Sequence, residues 1–128
     1  MRRLIVCCDG TWNTPDHVDR GVPAPTNVVK MARAVVPVGP DGTTQIVYYH
    51  AGVGTEDIFD KVTGGAFGIG LSGRVRDAYL FLVHNYHEGD ELYFFGFSRG
   101  AYTARSTVGM VRKVGILNKE HAGLTKQA

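Results

Sequence analysis

Three short apolar runs separate polar, glycine-containing stretches along this chain. The runs lie at Leu4–Cys8, 45–49 and 91–96, and each has the length of a buried strand. Between them, apolar residues recur at spacings of three and four, which predicts one helix near 28–36 and a second over about 71–86. Strands that alternate with helices pair in parallel. The pattern therefore predicts an α/β fold with three parallel strands.

The third run ends in a Gly-x-Ser-x-Gly motif, Gly96–Gly100, and a helical pattern follows it without a linker. A strand, a very tight turn and a helix are what a nucleophile elbow requires. Such a turn should strain the backbone of Ser98, giving it a positive φ, and it leaves room only for small residues at Gly96 and Gly100. The N–H of Arg99, at the helix N-terminus, would face an oxyanion. Ser98 is therefore a candidate nucleophile, and the alternative is a serine that only caps the helix.

The first two runs also end in polar loops, where ligands of parallel sheets bind. In the first loop, 9–13, Asp9 is expected to organise the turn by accepting backbone N–H bonds. Its Asp-Gly-Thr matches part of a phosphatase signature, but Cys7 occupies the position of the nucleophilic aspartate, so that interpretation is rejected. His50 begins the second loop and could approach Ser98. A hydrogen bond within its own loop is the simpler role for His50.

A Gly-x-Gly-x-x-Gly run at 68–73 matches the dinucleotide-binding fingerprint. That fingerprint must follow a strand and open a helix. A helix does follow, but the preceding residues, 57–63, do not form a convincing strand pattern. A flexible glycine-rich loop is the simpler interpretation, and a nucleotide-binding α/β protein that uses 68–73 is an alternative.

Composition narrows the classes of function. The chain has 128 residues, of which 44% are hydrophobic and 20% are charged, and these values fit one globular domain. Its net charge of +2 is too small, and its basic residues are too scattered along the chain, to indicate nucleic-acid binding. No apolar run is long enough to span a membrane or to form a signal peptide, so a cytoplasmic location is expected. The adjacent Cys7 and Cys8 are expected to be reduced, near-core residues. No metal and no cofactor are expected.

Four segments together resemble the DUF2235 family of α/β-hydrolases, which includes the Tle1-like phospholipase effectors of type VI secretion. The resemblance spans about residues 3 to 117. It implies a three-layer αβα, α/β-hydrolase-like parallel sheet in the order second, first, third run, with Leu4–Cys8 central. The matching segments are 4–13, 45–55, 78–86 and 89–105.

The resemblance also implies roles for individual residues. Ser98 would be the nucleophile, Arg99 N–H one oxyanion donor, and Gly10 or Thr11 the other donor. The implied reaction is hydrolysis of an ester in lipid metabolism, with phospholipids as the best-known substrates of the effector branch. An effector would leave the cell by a route that needs no signal peptide.

A serine nucleophile needs a histidine base and an orienting carboxylate, which in this fold follow the serine in the order acid, then histidine. After Ser98 the chain offers only Glu120 and His121, side by side in a polar tail that is expected to fray. Residues 1–128 are therefore expected to be a partial hydrolase domain, truncated after the elbow helix and weakly active or inactive alone. A non-catalytic interaction module, or a remnant, is the alternative. Because 91–96 would lie at a sheet edge, a complementing C-terminal chain or a homodimer is the expected partner.

Overall fold

The computed structural model describes residues 1–52 and 67–126. In these ranges the chain forms five strands, three α-helices and a C-terminal 3-10 helix. In chain order these elements are β1 (Arg3–Cys8), β2 (Val18–Asp19), β3 (Val22–Pro23), α1 (Asn27–Ala34), β4 (Gln45–His50), α2 (Phe67–Asn85), β5 (Glu91–Gly96), α3 (Arg99–Val114) and the 3-10 helix (Lys119–Lys126).

The central sheet has the strand order β4-β1-β5, and both pairings are parallel. This confirms the three predicted strands and the central position of β1. Cys8 pairs with His50 on one side and with Gly96 on the other. The last residues of the three strands therefore form one row at the carboxyl edge of the sheet, directly before the loops of the predicted site.

Side chains of β1 are buried on both faces of the sheet. Leu4, Val6 and Cys8 pack with residues of α2 and α3, whereas Ile5 and Cys7 pack with α1. A strand covered on both faces reads as a continuous apolar run, which is why no alternation appears in 4–8. Burial raises the pKa of both thiols to about 11, so they stay protonated at neutral pH and belong to the core.

Several local expectations need correction. The first helix ends at Ala34 rather than near Val36. Val36 precedes a proline, and a residue in that position is biased away from helical backbone. The segment 14–25 is rich in proline, aspartate and glycine, which predicts a surface loop, but it also contains the antiparallel hairpin of β2 and β3. The tail expected to fray forms the 3-10 helix, and the hydroxyl of Tyr79 holds the segment before it by donating to the Gly115 carbonyl (2.8 Å).

The glycine run at 68–73 lies inside α2, so the interpretation as a flexible loop is wrong. A dinucleotide site also needs a tight turn whose backbone approaches the pyrophosphate closely, and a continuous helix does not provide that turn. The segment 57–63, on which the strand requirement depended, lies outside the described residues. None of the helices in the described part of the chain is both long and apolar enough to cross a bilayer.

Candidate active site

Ser98 lies in a strained turn between β5 and α3. Its backbone has φ 54° and ψ −125°, which confirms the predicted positive φ. A non-glycine residue with positive φ is held there only when the surrounding structure requires it. Ser98 occupies the N-cap position of α3, but its side chain makes no capping hydrogen bond, and the residue is exposed. The hydroxyl therefore does not cap the helix, which was the alternative to its being a nucleophile.

The two glycines of the motif are required by close backbone contacts. A Cβ at Gly96 would lie 2.5 Å from Ala101 Cα, and a Cβ at Gly100 would lie 2.3 Å from the carbonyl oxygen of Cys8. Both distances are far shorter than a normal contact, and both neighbours are main-chain atoms that cannot turn aside. The prediction that only small residues fit at these positions is confirmed.

The loop after β1 packs directly against this turn. The N–H of Phe97 donates to the Cys8 carbonyl (3.1 Å), and a Cβ at Gly10 would lie 2.7 Å from Cδ1 of Phe97. Within the loop, the Asn13 N–H donates to the Gly10 carbonyl (2.9 Å) and closes a tight turn. The loop therefore lies beside the elbow, which is the position that the family resemblance implied when it assigned an oxyanion donor to Gly10 or Thr11.

Asp9 organises this loop from a buried position. Its side chain, in a residue only 3% exposed, accepts the Gly10 N–H (2.8 Å), the Thr26 hydroxyl (2.9 Å) and the Tyr49 hydroxyl (2.7 Å). Thr26 in turn caps α1 by accepting the Val29 N–H. Burial and the bond to Asp9 raise the pKa of Tyr49 above its usual range. The predicted organising role is confirmed, and the carboxylate joins the first loop to α1 and β4.

His50 is the last residue of β4 rather than a loop residue, and both of its ring nitrogens are engaged. Nδ1 lies 2.7 Å from the Ala51 carbonyl oxygen, and Nε2 lies 2.6 Å from a guanidinium nitrogen of Arg74. The same Arg74 nitrogen also lies 2.9 Å from Nδ1, so the guanidinium packs against the imidazole ring and contacts both of its nitrogens. Both ring nitrogens of His50 therefore have partners among the described residues, one in its own strand end and one in α2.

Three further candidates for a relay, His87, Glu120 and His121, lie away from the carboxyl edge. His87 contacts Arg2, which precedes β1 at the amino edge. Glu120 and His121 follow α3, whose 16 residues, at 1.5 Å each, carry the chain about 24 Å from Ser98. Both side chains are exposed. These elements do not place His87, Glu120 or His121 beside the serine hydroxyl.

An open pocket lies at the carboxyl edge, next to the elbow. Residues at the ends of β1 and β4 line part of it, and residues of α2 and α3 line the rest. Sequence analysis missed the contribution of Arg74, because nothing in a helical pattern indicates which charged residue faces a site. The described residues that line the pocket are Cys8, Asp9, His50, Ala51, Gly52, Arg74, Arg99, Gly100 and Thr103.

Comparison with known proteins is consistent with this arrangement. The chain is 32% identical, over 142 residues, to "Uncharacterized protein YEL023C" of Saccharomyces cerevisiae; the match covers 99% of this chain and 20% of the yeast protein, so the chain spans about a fifth of that relative's length. No solved structure matches the chain. The family model described as "T6SS, Phospholipase effector Tle1-like, catalytic domain" matches residues 2–128. The chain therefore belongs to the family of Tle1-like phospholipase effector catalytic domains of type VI secretion.

Proposed function

We propose that this domain is a serine esterase of the phospholipase type, with Ser98 as its nucleophile. The observation that carries the proposal is the strained backbone of Ser98. It places a hydroxyl that makes no capping hydrogen bond between a parallel strand and a helix N-terminus. Family membership supports a hydrolase acting on lipids. The α/β-hydrolase arrangement of the whole catalytic domain is part of the same proposal.

In this reaction the Ser98 hydroxyl oxygen attacks the carbonyl carbon of an ester, and the carbonyl oxygen becomes an oxyanion. Collapse of the intermediate expels the alcohol and leaves an acyl-serine, which water then hydrolyses. The N–H of Arg99, in the first turn of α3, is one proposed oxyanion donor. For the second donor, Thr11 is better supported than Gly10, because the Gly10 N–H already donates to Asp9.

The base and its orienting carboxylate are proposed to come from outside the described residues. A serine hydroxyl needs both groups, and in α/β-hydrolases they follow the nucleophile in sequence. Two observations support this proposal: a guanidinium nitrogen of Arg74 lies against both ring nitrogens of His50, and Glu120 and His121 follow the far end of α3. The 128 residues on their own are therefore expected to turn over esters weakly or not at all.

The second candidate function is a non-catalytic interaction module. It is favoured by β5, which in the described part of the chain pairs only with β1 and carries an exposed Tyr93. A strand edge of this kind is a template for a strand from another chain, either a complementing chain or a second copy. The two functions differ in whether Ser98 reacts.

The test is covalent labelling by a fluorophosphonate, with the modified peptide identified by mass spectrometry. Labelling is run at pH 9 with excess probe, because hydroxide can then replace the absent base. The esterase proposal expects Ser98 to react much faster than any other serine, and expects Ser98→Ala to remove that label. Ser106→Ala, in the same helix, is the matched control and should leave labelling unchanged.

The opposite result is equally clear. If Ser98 in the folded protein reacts no faster than Ser106, the elbow does not form a nucleophile site and the interaction module is the better account. Robust ester hydrolysis by the purified 128 residues, abolished by Ser98→Ala, would instead contradict the proposed external base. It would identify His50 as a base after displacement of Arg74.

A further inference from the structure

One face of α3 points away from the core and carries aromatic and basic side chains. The helix packs on β5 and α2, and the residues that it buries are Gly100, Thr103, Ala104 and Thr107. Residues at spacings of three and four share a helix face, and the face opposite to these four is exposed. The outer face of α3 consists of Tyr102, Arg105, Gly109, Arg112 and Lys113.

This face carries charge of one sign only. The segment 92–119, which contains all of α3, has no aspartate or glutamate. Charges of alternating sign are typical of a helix face that meets only water. The helix dipole favours Arg112 and Lys113 in the last turn, but it gives no reason for Arg105, about two turns earlier. A basic face without acidic neighbours in the chain therefore indicates a negatively charged partner.

The basic side chains of the outer face are not neutralised within the described part of the chain. The ion pairs found among the described residues involve arginines of β1 and α2 and the arginine before β1. None of these pairs involves Arg105, Arg112 or Lys113, and all three residues are exposed. Their charges can therefore act on a partner without first breaking an ion pair with the described residues.

Tyr102 adds an aromatic ring to this face, beside the proposed nucleophile. The residue is 59% exposed and lies four positions after Ser98, so its side chain lies over the turn that carries the serine. Tyrosine has an apolar ring and a polar hydroxyl, which suits the boundary between lipid and water. Arginine and lysine also carry apolar stems below their charged ends. The outer face of α3 thus combines the side chains that bind a lipid surface.

We infer that the outer face of α3 docks on the surface of an anionic phospholipid bilayer. Charge complementarity argues for this occupant, and membership in a family of phospholipase catalytic domains favours lipid over other polyanions. A second copy of the chain is a poor occupant, because two such faces would bring like charges together. The inference concerns binding alone and does not require Ser98 to react.

The test is flotation of the purified protein with vesicles on a density gradient, in which bound protein rises and aggregates sink. The vesicles contain phosphatidylcholine alone, or phosphatidylcholine and phosphatidylglycerol at about two to one. The protein should float with the mixed vesicles only, and less of it should float as salt increases. Arg105→Gln should weaken binding about fivefold. Lys30→Gln is the matched control and should leave binding nearly unchanged, since this exposed lysine lies in α1, across the sheet from α3.

Two further variants keep the test decisive if Arg105→Gln proves unfolded by circular dichroism. Lys113→Gln removes another charge of the same face and should weaken flotation to a similar extent. Tyr102→Ser should weaken flotation without a change of charge. Equal flotation with neutral and mixed vesicles, or equal losses in Lys30→Gln and the variants of the outer face, would overturn the inference. If polyglutamate removes the protein from vesicles at an equal concentration of negative charge, the partner is an acidic polypeptide and the assignment to lipid is wrong.

Flotation and the labelling of Ser98 separate this inference from the proposed function. Ser98→Ala should float as wild type does, because the serine contributes no charge to the outer face. If Ser98 is never labelled while flotation depends on Arg105, the esterase proposal fails and the docking surface stands. If Ser98 is labelled but the protein does not float with mixed vesicles, the esterase stands and the docking surface is wrong.

Discussion

The contact between Gly100 and the end of β1 gives the sharpest prediction about this site. In Gly100→Ala, the new methyl group would lie 2.3 Å from the Cys8 carbonyl oxygen and 2.4 Å from that of Asp9. Normal contacts of this kind are about 3.5 Å, so the N-terminus of α3 must move roughly 1 Å away from β1. That movement pulls on the bond from the Phe97 N–H to Cys8, which joins the elbow to the central strand.

The cost can be estimated from three contributions. Overpacking against main-chain atoms costs about 2–3 kcal/mol, and weakening the Phe97 hydrogen bond adds about 1 kcal/mol. Alanine is the better helix former by about 1 kcal/mol, which offsets part of this sum. The net loss for Gly100→Ala is therefore about 2–3 kcal/mol. For a domain of this size it corresponds to a fall of roughly 10 °C in Tm.

The assay is urea and thermal denaturation, followed by circular dichroism, of wild type and two variants. Gly109→Ala is the matched control: it is the same substitution in the same helix, but its methyl group would meet no atom within 4 Å. Helix propensity alone should make Gly109→Ala more stable, by about 0.5–1 kcal/mol. Equal effects of the two substitutions would refute the close approach of α3 to β1 and, with it, the geometry of the elbow.

Three further predictions follow from individual contacts. Asp9→Ala should destabilise the fold by about 3 kcal/mol in urea denaturation, because three donors lose their acceptor; a loss below 1 kcal/mol would contradict that network. The Arg2 side chain lowers the pKa of Asp90 to about 2, so the pair's contribution to stability should be full above about pH 4 and fall as pH approaches 2. Asp90→Asn should remove that pH dependence in acid titrations followed by circular dichroism. Light scattering at micromolar concentration should detect association through β5 that Tyr93→Lys reduces, whereas a monodisperse wild-type monomer would contradict an open edge.

The sheet and the elbow could be predicted from sequence because both depend on local patterns. Leu4–Cys8 is apolar at every position, which is typical of a strand covered on both faces, and the structure places it in the centre. Gly96–Gly100 carries its own turn chemistry, so the positive φ of Ser98 was predictable as well. In each case the residues that determine the structure are neighbours along the chain.

The details of the pocket could not be predicted because they depend on contacts between distant residues. Arg74 reaches His50 from 24 positions away, and Tyr49 reaches Asp9 from 40 positions away. No spacing rule connects such pairs, and a charged residue in a helix is usually solvent-facing. The interpretation of the glycine run at 68–73 as a loop was wrong for a related reason. The dinucleotide motif indicates a loop only when a strand precedes it, and here the run forms the first turns of a helix.

The turn that carries the proposed nucleophile, Ser98, is held by few elements, and this bears on the proposal that the base comes from elsewhere. The strained turn at Ser98 costs about 1–3 kcal/mol, so neighbouring contacts must compensate for it. The N–H groups of Gly100 and Ala101 donate back to the carbonyls of Phe97 and Ser98, and the Phe97 N–H donates to Cys8. Every one of these bonds lies within β1, the elbow turn and α3. The backbone geometry of Ser98 is therefore set by these contacts, and under the proposed mechanism it would not depend on where the histidine base comes from.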